Sequence, residues 1–427
     1  MPQLSTASTA APVGIVADDL TGATDSAVQF ARDGWQARLA LTAASRVAID
    51  PGSVAAVVTD ARAQDAADAR ASTAQAVTAL RDGGAQRLFV KIDSTMRGSV
   101  SAQARGAIEA WSVEHPGAFA IVCSAYPAMG RTVEHGRLLV HGEGVHTTAV
   151  GTDPVTPVST SDLAVLLPGS SALHLPHGSA AEGALLLEQA AGSSDEGVVV
   201  VDAATDDDLA RLAESIALVG PHAIPVGAAG LASAMSHAWS SSQPPAVERP
   251  QHANRVVVVV SSLHDVSRAQ ADHLVHSLPS ERIRVLAPSL DEILGPDAVS
   301  TWAERELAQS PMLPEVVVIA SPTARPAQAP GAPSSTALVA ESLATITELV
   351  FEQVEVDAML LLGGEGARTV LGRLGTASLL IRAAIREGIP IGSLEGGAAD
   401  GITVVTKAGG FGDEASVTDI VLELLQP

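Results

Sequence analysis

Short runs of β-branched and aliphatic residues recur along the whole chain, and several, such as 256–260, are apolar at every position. A strand with one wet face alternates polar and apolar residues, so a run without alternation must be covered on both faces. Such runs fall at 13–17, 38–41, 54–59, 88–92, 118–123 and 197–202, then at 256–261, 316–321, 358–362 and 402–407. Between them lie Ala-rich stretches of helical period, among them 65–80, 206–218 and 338–352. The alternation predicts an α/β fold with largely parallel sheets flanked by helices. The polar segment 240–254, with three prolines, parts the runs into two sets. We therefore expect two α/β domains, 13–240 and 255–427, joined by a linker at 241–254 and preceded by a disordered tail at 1–12. The active site is expected in the interdomain cleft. A second Pro/Gly/Ala-rich stretch at 321–335 reads as an exposed loop.

Charge narrows the partners. Asp and Glu number 48 against 25 Lys and Arg, a net charge of −23. Nucleic-acid binding through a basic face is thereby disfavoured. No 18-residue apolar span is present, so no membrane helix is expected. The N-terminus lacks a basic and apolar leader, so a cytoplasmic protein is expected. The single cysteine, Cys123, permits neither a disulfide framework nor a multi-cysteine zinc site. It reads as a buried small hydrophobe. His174 and His177 have no carboxylate or cysteine beside them, so no metal site is expected there.

Two residues stand out among the cations: only Lys91 and Lys407 are lysines, all others being arginine, and both end an apolar run. A compact ammonium suits a tight anion pocket where a wide guanidinium does not. Asp18 and Asp19 follow the first run, where open α/β sheets place ligands. Thr21 or Asp25 would cap the next helix in the alternative reading. The fourth run ends in Lys91, Ile92, Asp93, Ser94, Thr95, Met96 and Arg97. Two cations, two hydroxyls and a carboxylate suit a small polyhydroxylated acid. Arg62, after the third run, and Arg131, after the fifth, would add anion contacts.

In the second half, the run 358–362 leads into Gly363, Gly364, Glu365 and Gly366, and the last run into Lys407, Ala408, Gly409 and Gly410. Two Gly-rich strand ends, one carrying Lys, fit a nucleotide phosphate cradle. No Walker-type G-x-x-x-x-G-K-[ST] occurs, and no G-x-G-x-x-G follows the first run, which counts against a dinucleotide enzyme. His264 is open between a nucleotide contact and a solvated loop.

The motifs ADDLTGATD, TDAR, KIDSTMRG, YPAMGRT, DPVTPVSTSDL, VDAATDDDL, GAAGLA, GGEGA and TKAGGFG occur in this order over residues 13–425. In that order they resemble the four-carbon acid sugar kinase family, comprising D-threonate, D-erythronate and 3-oxo-tetronate kinases. The resemblance implies a sugar-acid-binding N-terminal domain and an ATP-binding C-terminal domain, with ATP and Mg²⁺ as cofactors. By motif, Asp18 or Asp19, Arg62 and the stretch from Lys91 to Ser94 would hold the acid, with Ser262, Gly363–Gly366 and Gly409 on the nucleotide. Asp19 and Asp93 are the candidates to accept the hydroxyl proton, and phosphorylation at O4 is expected. The chain departs from the family at Ser261-Ser262-Leu263-His264, at Ala61 and at Gly366, where the family usually carries Thr. Loss of that hydroxyl leads us to expect weaker nucleotide binding, improved by Gly366→Thr. The alternatives are a non-catalytic sugar-acid sensor and an NAD-dependent hydroxyacid dehydrogenase. A homodimer is left open.

Overall fold

The computed structural model describes residues 10–41, 48–153, 155–240, 252–262, 264–293, 298–309, 312–322, 335–386, 388–407, 410 and 412–426. Leu263, Gly409, positions 1–9 of the expected tail, 241–251 of the linker and 323–334 of the loop lie outside the described residues. The chain divides into two compact units, Met1–Pro245 and Ala246–Pro427.

The strands of the first unit are β1 (Val13–Ala17), β2 (Gln36–Ala40), β3 (Ser53–Val58), β4 (Arg87–Lys91), β5 (Phe119–Cys123), β6 (Arg131–Glu134), β7 (Arg137–Val140), β8 (Glu143–Gly144), β9 (Ser171–Leu173), β10 (Val198–Val201) and β11 (Ala223–Gly227). Eight of them form a parallel sheet in the order β2-β3-β1-β4-β11-β5-β10-β9, and β6-β7-β8 form a small antiparallel sheet. The flanking helices are α1 (Leu20–Arg32), α2 (Ala66–Asp82), α3 (Val100–Trp111), α4 (Leu163–Leu166), α5 (Ala180–Gly192), α6 (Asp206–Val219) and α7 (Ala229–Trp239). Every residue of β1 is buried, as a run without alternation requires. Helix α1 packs on α7, where Phe30 meets the rings of Trp35 and Trp239.

The second unit holds β12 (Val256–Val260), β13 (Ile283–Leu286), β14 (Val316–Ala320), β15 (Ala358–Leu362), β16 (Ser378–Arg386), β17 (Ile389–Glu395) and β18 (Thr403–Lys407). Their order is β13-β14-β12-β15-β18-β17-β16, parallel as far as β18 and antiparallel over the last two. Its helices are α8 (Asp265–Ser277), α9 (Leu290–Ile293), α10 (Ala298–Ala308), α11 (Ser335–Gln353), α12 (Gly364–Arg373) and α13 (Ser416–Leu424). Val256, Val258 and Val260 pack with Leu274 of α8 and with Ile420, Val421 and Leu424 of α13. Val257 and Val259 are buried as well, so β12 is covered on both faces. Among the described residues no helix is long and apolar enough to cross a membrane.

Both units share one topological device. In the first, the chain begins at β1, lays β2 and β3 to one side, then crosses to β4 on the other. In the second, it begins at β12, lays β13 and β14 to one side and crosses to β15. Helices leaving neighbouring strands in opposite directions open a crevice at the carboxyl ends of those strands. The registers bring these ends level: Ala17 lies beside Val58 and Lys91, and Leu362 beside Val260 and Lys407.

Candidate functional site

In the first unit, β1 ends on Ala17 and turns at once into α1, with Asp19 as its N-cap: Asp19 Oδ1 accepts from the Gly22 N–H at 2.6 Å. The cap is thus Asp19, neither Thr21 nor Asp25. After β3, Asp60 adopts a left-handed backbone (φ 54°) and opens the single turn Ala61–Ala63 that carries Arg62. Arg62 Nε and Nη2 grip Asp18 at 3.1 and 2.8 Å, Nη1 donates to Asp19 at 2.7 Å, and Nη2 lies 3.8 Å from Asp93. Arg62 therefore spends its fork on three carboxylates of the protein itself.

Asp93 follows β4 and is engaged on both oxygens. Its Oδ2 accepts from Arg97 Nε at 3.0 Å, from the Thr95 N–H at 3.2 Å and from the Thr95 hydroxyl; its Oδ1 accepts from Arg97 Nη2 at 3.0 Å. Burial alone would raise the Asp93 carboxyl, but Arg62 and Arg97 hold it far below the usual range. Asp18, fully buried, goes the other way: burial pushes it up and Asp19 adds to this, against Arg62 and Lys91. Met96 completes the turn with φ 61°, a second strained residue at the same rim. Ser94 is half-buried in this turn, and Ile92 is wholly buried, facing Lys91 with only its carbonyl.

The cations that remain are Lys91 and Arg131. Lys91, buried, donates one of its three protons to Ile92 O at 2.9 Å. Its ammonium passes so near α1 that a Cβ on Gly22 would lie 2.8 Å from Nζ and 2.6 Å from Asp19 Oδ1. Arg131 opens β6 after the turn Pro127–Met129; Nη1 donates to Met129 O, while the buried Nε has no hydrogen-bond partner among the described residues. Burial draws this guanidinium below its ordinary value, with Asp93 opposing. One contributor escaped sequence reading. Asp153, 56 residues from Arg97, accepts from its Nη1 at 3.3 Å and from the Val155 and Thr156 N–H groups at 2.9 and 2.8 Å. Its motif was visible, but nothing in the spacing tied it to Arg97. Cys123 is buried with its thiol pushed up to about 12, as an inert core residue would be.

In the second unit, the strand ends of β12, β15 and β18 bring Ser261, Ser262, Gly363 and Lys407 to one rim. Gly363 has φ 108° and receives no side-chain cap; its N–H donates to Lys407 O at 3.1 Å, and α12 starts at Gly364. Lys407 is buried, and burial lowers its ammonium to about 8. His264 caps α8 by accepting from the Val266 N–H at 3.2 Å. A Cβ on Gly410 would reach its Nε2 at 3.4 Å, so Gly410 lies against this cap. The Ser262 hydroxyl accepts from the His264 N–H at 3.2 Å. The expectation that Gly366→Thr improves this turn is corrected. A Cβ at 366 falls on Cβ and Oγ of Ser261, so no β-branched residue fits while Ser261 stands. The side chain of Glu365 lies outside what the structure describes.

Comparisons with known proteins agree with this division. Residues 13–235 match the sugar-binding N-terminal domain model and residues 257–417 the nucleotide-binding C-terminal domain model. The D-threonate kinase of Bordetella bronchiseptica is 38% identical over 409 residues, 94% of this chain and 95% of that protein. The D-threonate kinase of Salmonella typhimurium is 27% identical over 421 residues, covering 95% and 96%. A solved Bordetella bronchiseptica structure, with bound citrate and as a domain-swapped dimer, is 36% identical with a TM-score of 0.50, covering 97% of this chain and 98% of that one. These kinase relatives lend the dehydrogenase alternative no support. With both domain models matched in order and a relative of this similarity along nearly its whole length, the chain belongs to the four-carbon acid sugar kinase family.

Proposed function

We propose that the protein transfers the γ-phosphoryl group of ATP to O4 of a four-carbon sugar acid such as D-threonate or D-erythronate. The observation that carries the acid-binding half is the unequal commitment of the site's cations. Arg62 and Arg97 are absorbed by Asp18, Asp19, Asp93 and Asp153, whereas Lys91 keeps donors in hand and the buried Arg131 Nε finds no acceptor among the described residues. A carboxylate is what such donors bind best. On this reading Lys91 and Arg131 hold the acid, and Arg62 and Arg97 keep the aspartates in place; Ser94 and Asp18 line the same rim.

In the reaction the O4–phosphorus bond forms as the bond from phosphorus to ADP breaks, and the hydroxyl proton leaves to a carboxylate. Both aspartates expected to serve have each oxygen engaged, but Asp19 accepts a single hydrogen bond on each and is the more exposed, so Asp19 takes the proton. The rest is positioning and charge. Ser262, the Gly363–Gly366 turn, Gly409, Gly410 and Lys407 hold the nucleotide phosphates. The hydroxyl oxygen of Ser262 is a hard donor of the kind that would hold Mg²⁺. Bound with the nucleotide, that ion screens phosphate charge. We place the reaction in the cytoplasm, with the protein a homodimer, as its citrate-bound relative is a dimer.

The test is ADP release with a panel of tetronates, with the product's phosphate located by phosphorus NMR. ADP release with at least one four-carbon acid is expected, and Arg131→Gln should raise the KM for that acid about tenfold or more while the KM for ATP stays put. If no acid in the panel releases ADP yet one still binds, the sensor reading replaces the kinase.

A further inference from the structure

The first turn of α12 and the end of β12 fit together through one hydroxyl-bearing side chain. Ser261 Oγ donates to Leu362 O at 2.9 Å and lies 3.3 Å from Gly363 O. The backbone N–H groups of Ser261 and Ser262 converge on the same Leu362 carbonyl, each at 3.0 Å. A Cβ at Gly363 would lie 2.6 Å from Ser261 Oγ, and one at Gly366 would overlap both Cβ and Oγ of Ser261. At Gly366 it is Ser261 alone that fills the space beneath the turn, whereas Gly363, with φ 108° and the Ser262 backbone nitrogen 2.9 Å from its Cβ position, requires glycine in any case.

We infer that Ser261 is the positioning residue of the nucleotide-holding turn, and that positions 261 and 366 form a steric pair in which only one may carry a side chain. The inference rests on the reading of the second unit as the nucleotide site. With its proton committed to a carbonyl, Ser261 fixes the path of the chain from β15 into α12. It acts through the turn, not on the transferred group.

The pair is tested in the full-length protein with Gly366→Ala, Ser261→Ala, Ser261→Gly and the doubles Ser261→Gly/Gly366→Ala and Ser261→Ala/Gly366→Ala. Gly366→Ala alone should raise the KM for ATP about tenfold or more, as overpacking a tight turn does. Ser261→Ala should raise it about threefold to tenfold, the worth of one hydrogen bond, with kcat changed less. Because the overlap at 366 involves Cβ as well as Oγ, Ser261→Gly should rescue Gly366→Ala and Ser261→Ala should not. Failure of the Gly/Ala double to recover, or equal rescue by both doubles, overturns the inference. Thermal unfolding midpoints follow the same cycle without any substrate. Should the wild type release no ADP with any acid, the proposed function fails, while selective rescue of the midpoint by Ser261→Gly still supports the pairing and its absence refutes it.

Discussion

A guanidinium that meets three carboxylates has little left to offer a substrate, and Arg62 is such a group. Sequence reading found Arg62 and Arg97 because arginines at strand ends are conspicuous. It placed them with the substrate, beside Asp18, Asp19 and Asp93, because the pairing of these arginines with those aspartates depends on the fold. The distinction has a mutational signature. Asp93→Asn removes a buried charge that two half-buried cations share and should lower stability by about 3 kcal/mol, read as a lower urea midpoint. Asp19→Asn should leave the midpoint closer to wild type and abolish ADP release. Equal loss of stability in both variants would count against Asp19 as the proton acceptor. Lys407 makes a second prediction. Its ammonium titrates at about 8 in the folded protein against 10.5 ordinarily, so the folded state loses this proton first as pH rises. Between those values the unfolded chain binds more protons, and stability should rise with pH. Nucleotide capture should move the opposite way, kcat/KM for ATP falling above pH 8, and Lys407→Met should erase that fall.

Elements apolar at every position were legible in the sequence, with boundaries displaced by one or two residues. β1, β12 and β15 fall in place because nothing but a doubly covered strand accommodates such runs. β11 was missed because Pro225 argues against a central strand, yet its ladder to β4 begins only at Val226, beyond the proline. β16 and β17 were missed because Ser378–Arg386 mixes Ala, Leu and Arg without alternation. β6, β7, β9 and β13 are too short to declare themselves. Helix α1 shows propensity and function in conflict. Gly22 lies in its first turn, where Ala would favour the helix by about 1 kcal/mol. A Cβ there would press on Lys91 Nζ and Asp19 Oδ1. Gly22→Ala should therefore raise the KM for the acid about tenfold, with little loss of thermal stability. An unchanged KM would show that the ammonium has room to move.

At the scale of the molecule, a protein of net charge −23 that is proposed to bind two anions works against its own field. Raising ionic strength from about 10 to about 150 mM shortens the screening length from roughly 30 to roughly 8 Å. Capture of the acid, measured as kcat/KM, should rise over that interval, whereas a site governed only by its local cations would weaken. The composition and the strand pattern carried this much, but the coupling of Arg97 to Asp153 and of Ser261 to Gly366 did not show, because each joins residues far apart in the chain whose meeting depends on the fold. The shared crossing at β1 and at β12 has a consequence for how the sequence can vary. In each sheet the candidate site residues gather on the rim where strands end, away from the turns on the opposite rim. A saturation scan should therefore be lopsided within every βα repeat, with scarcely any substitutions accepted just after a strand and wide latitude just before one. Insertions for labelling or tethering belong on that permissive rim, at exposed positions such as 113–114 and 116–117.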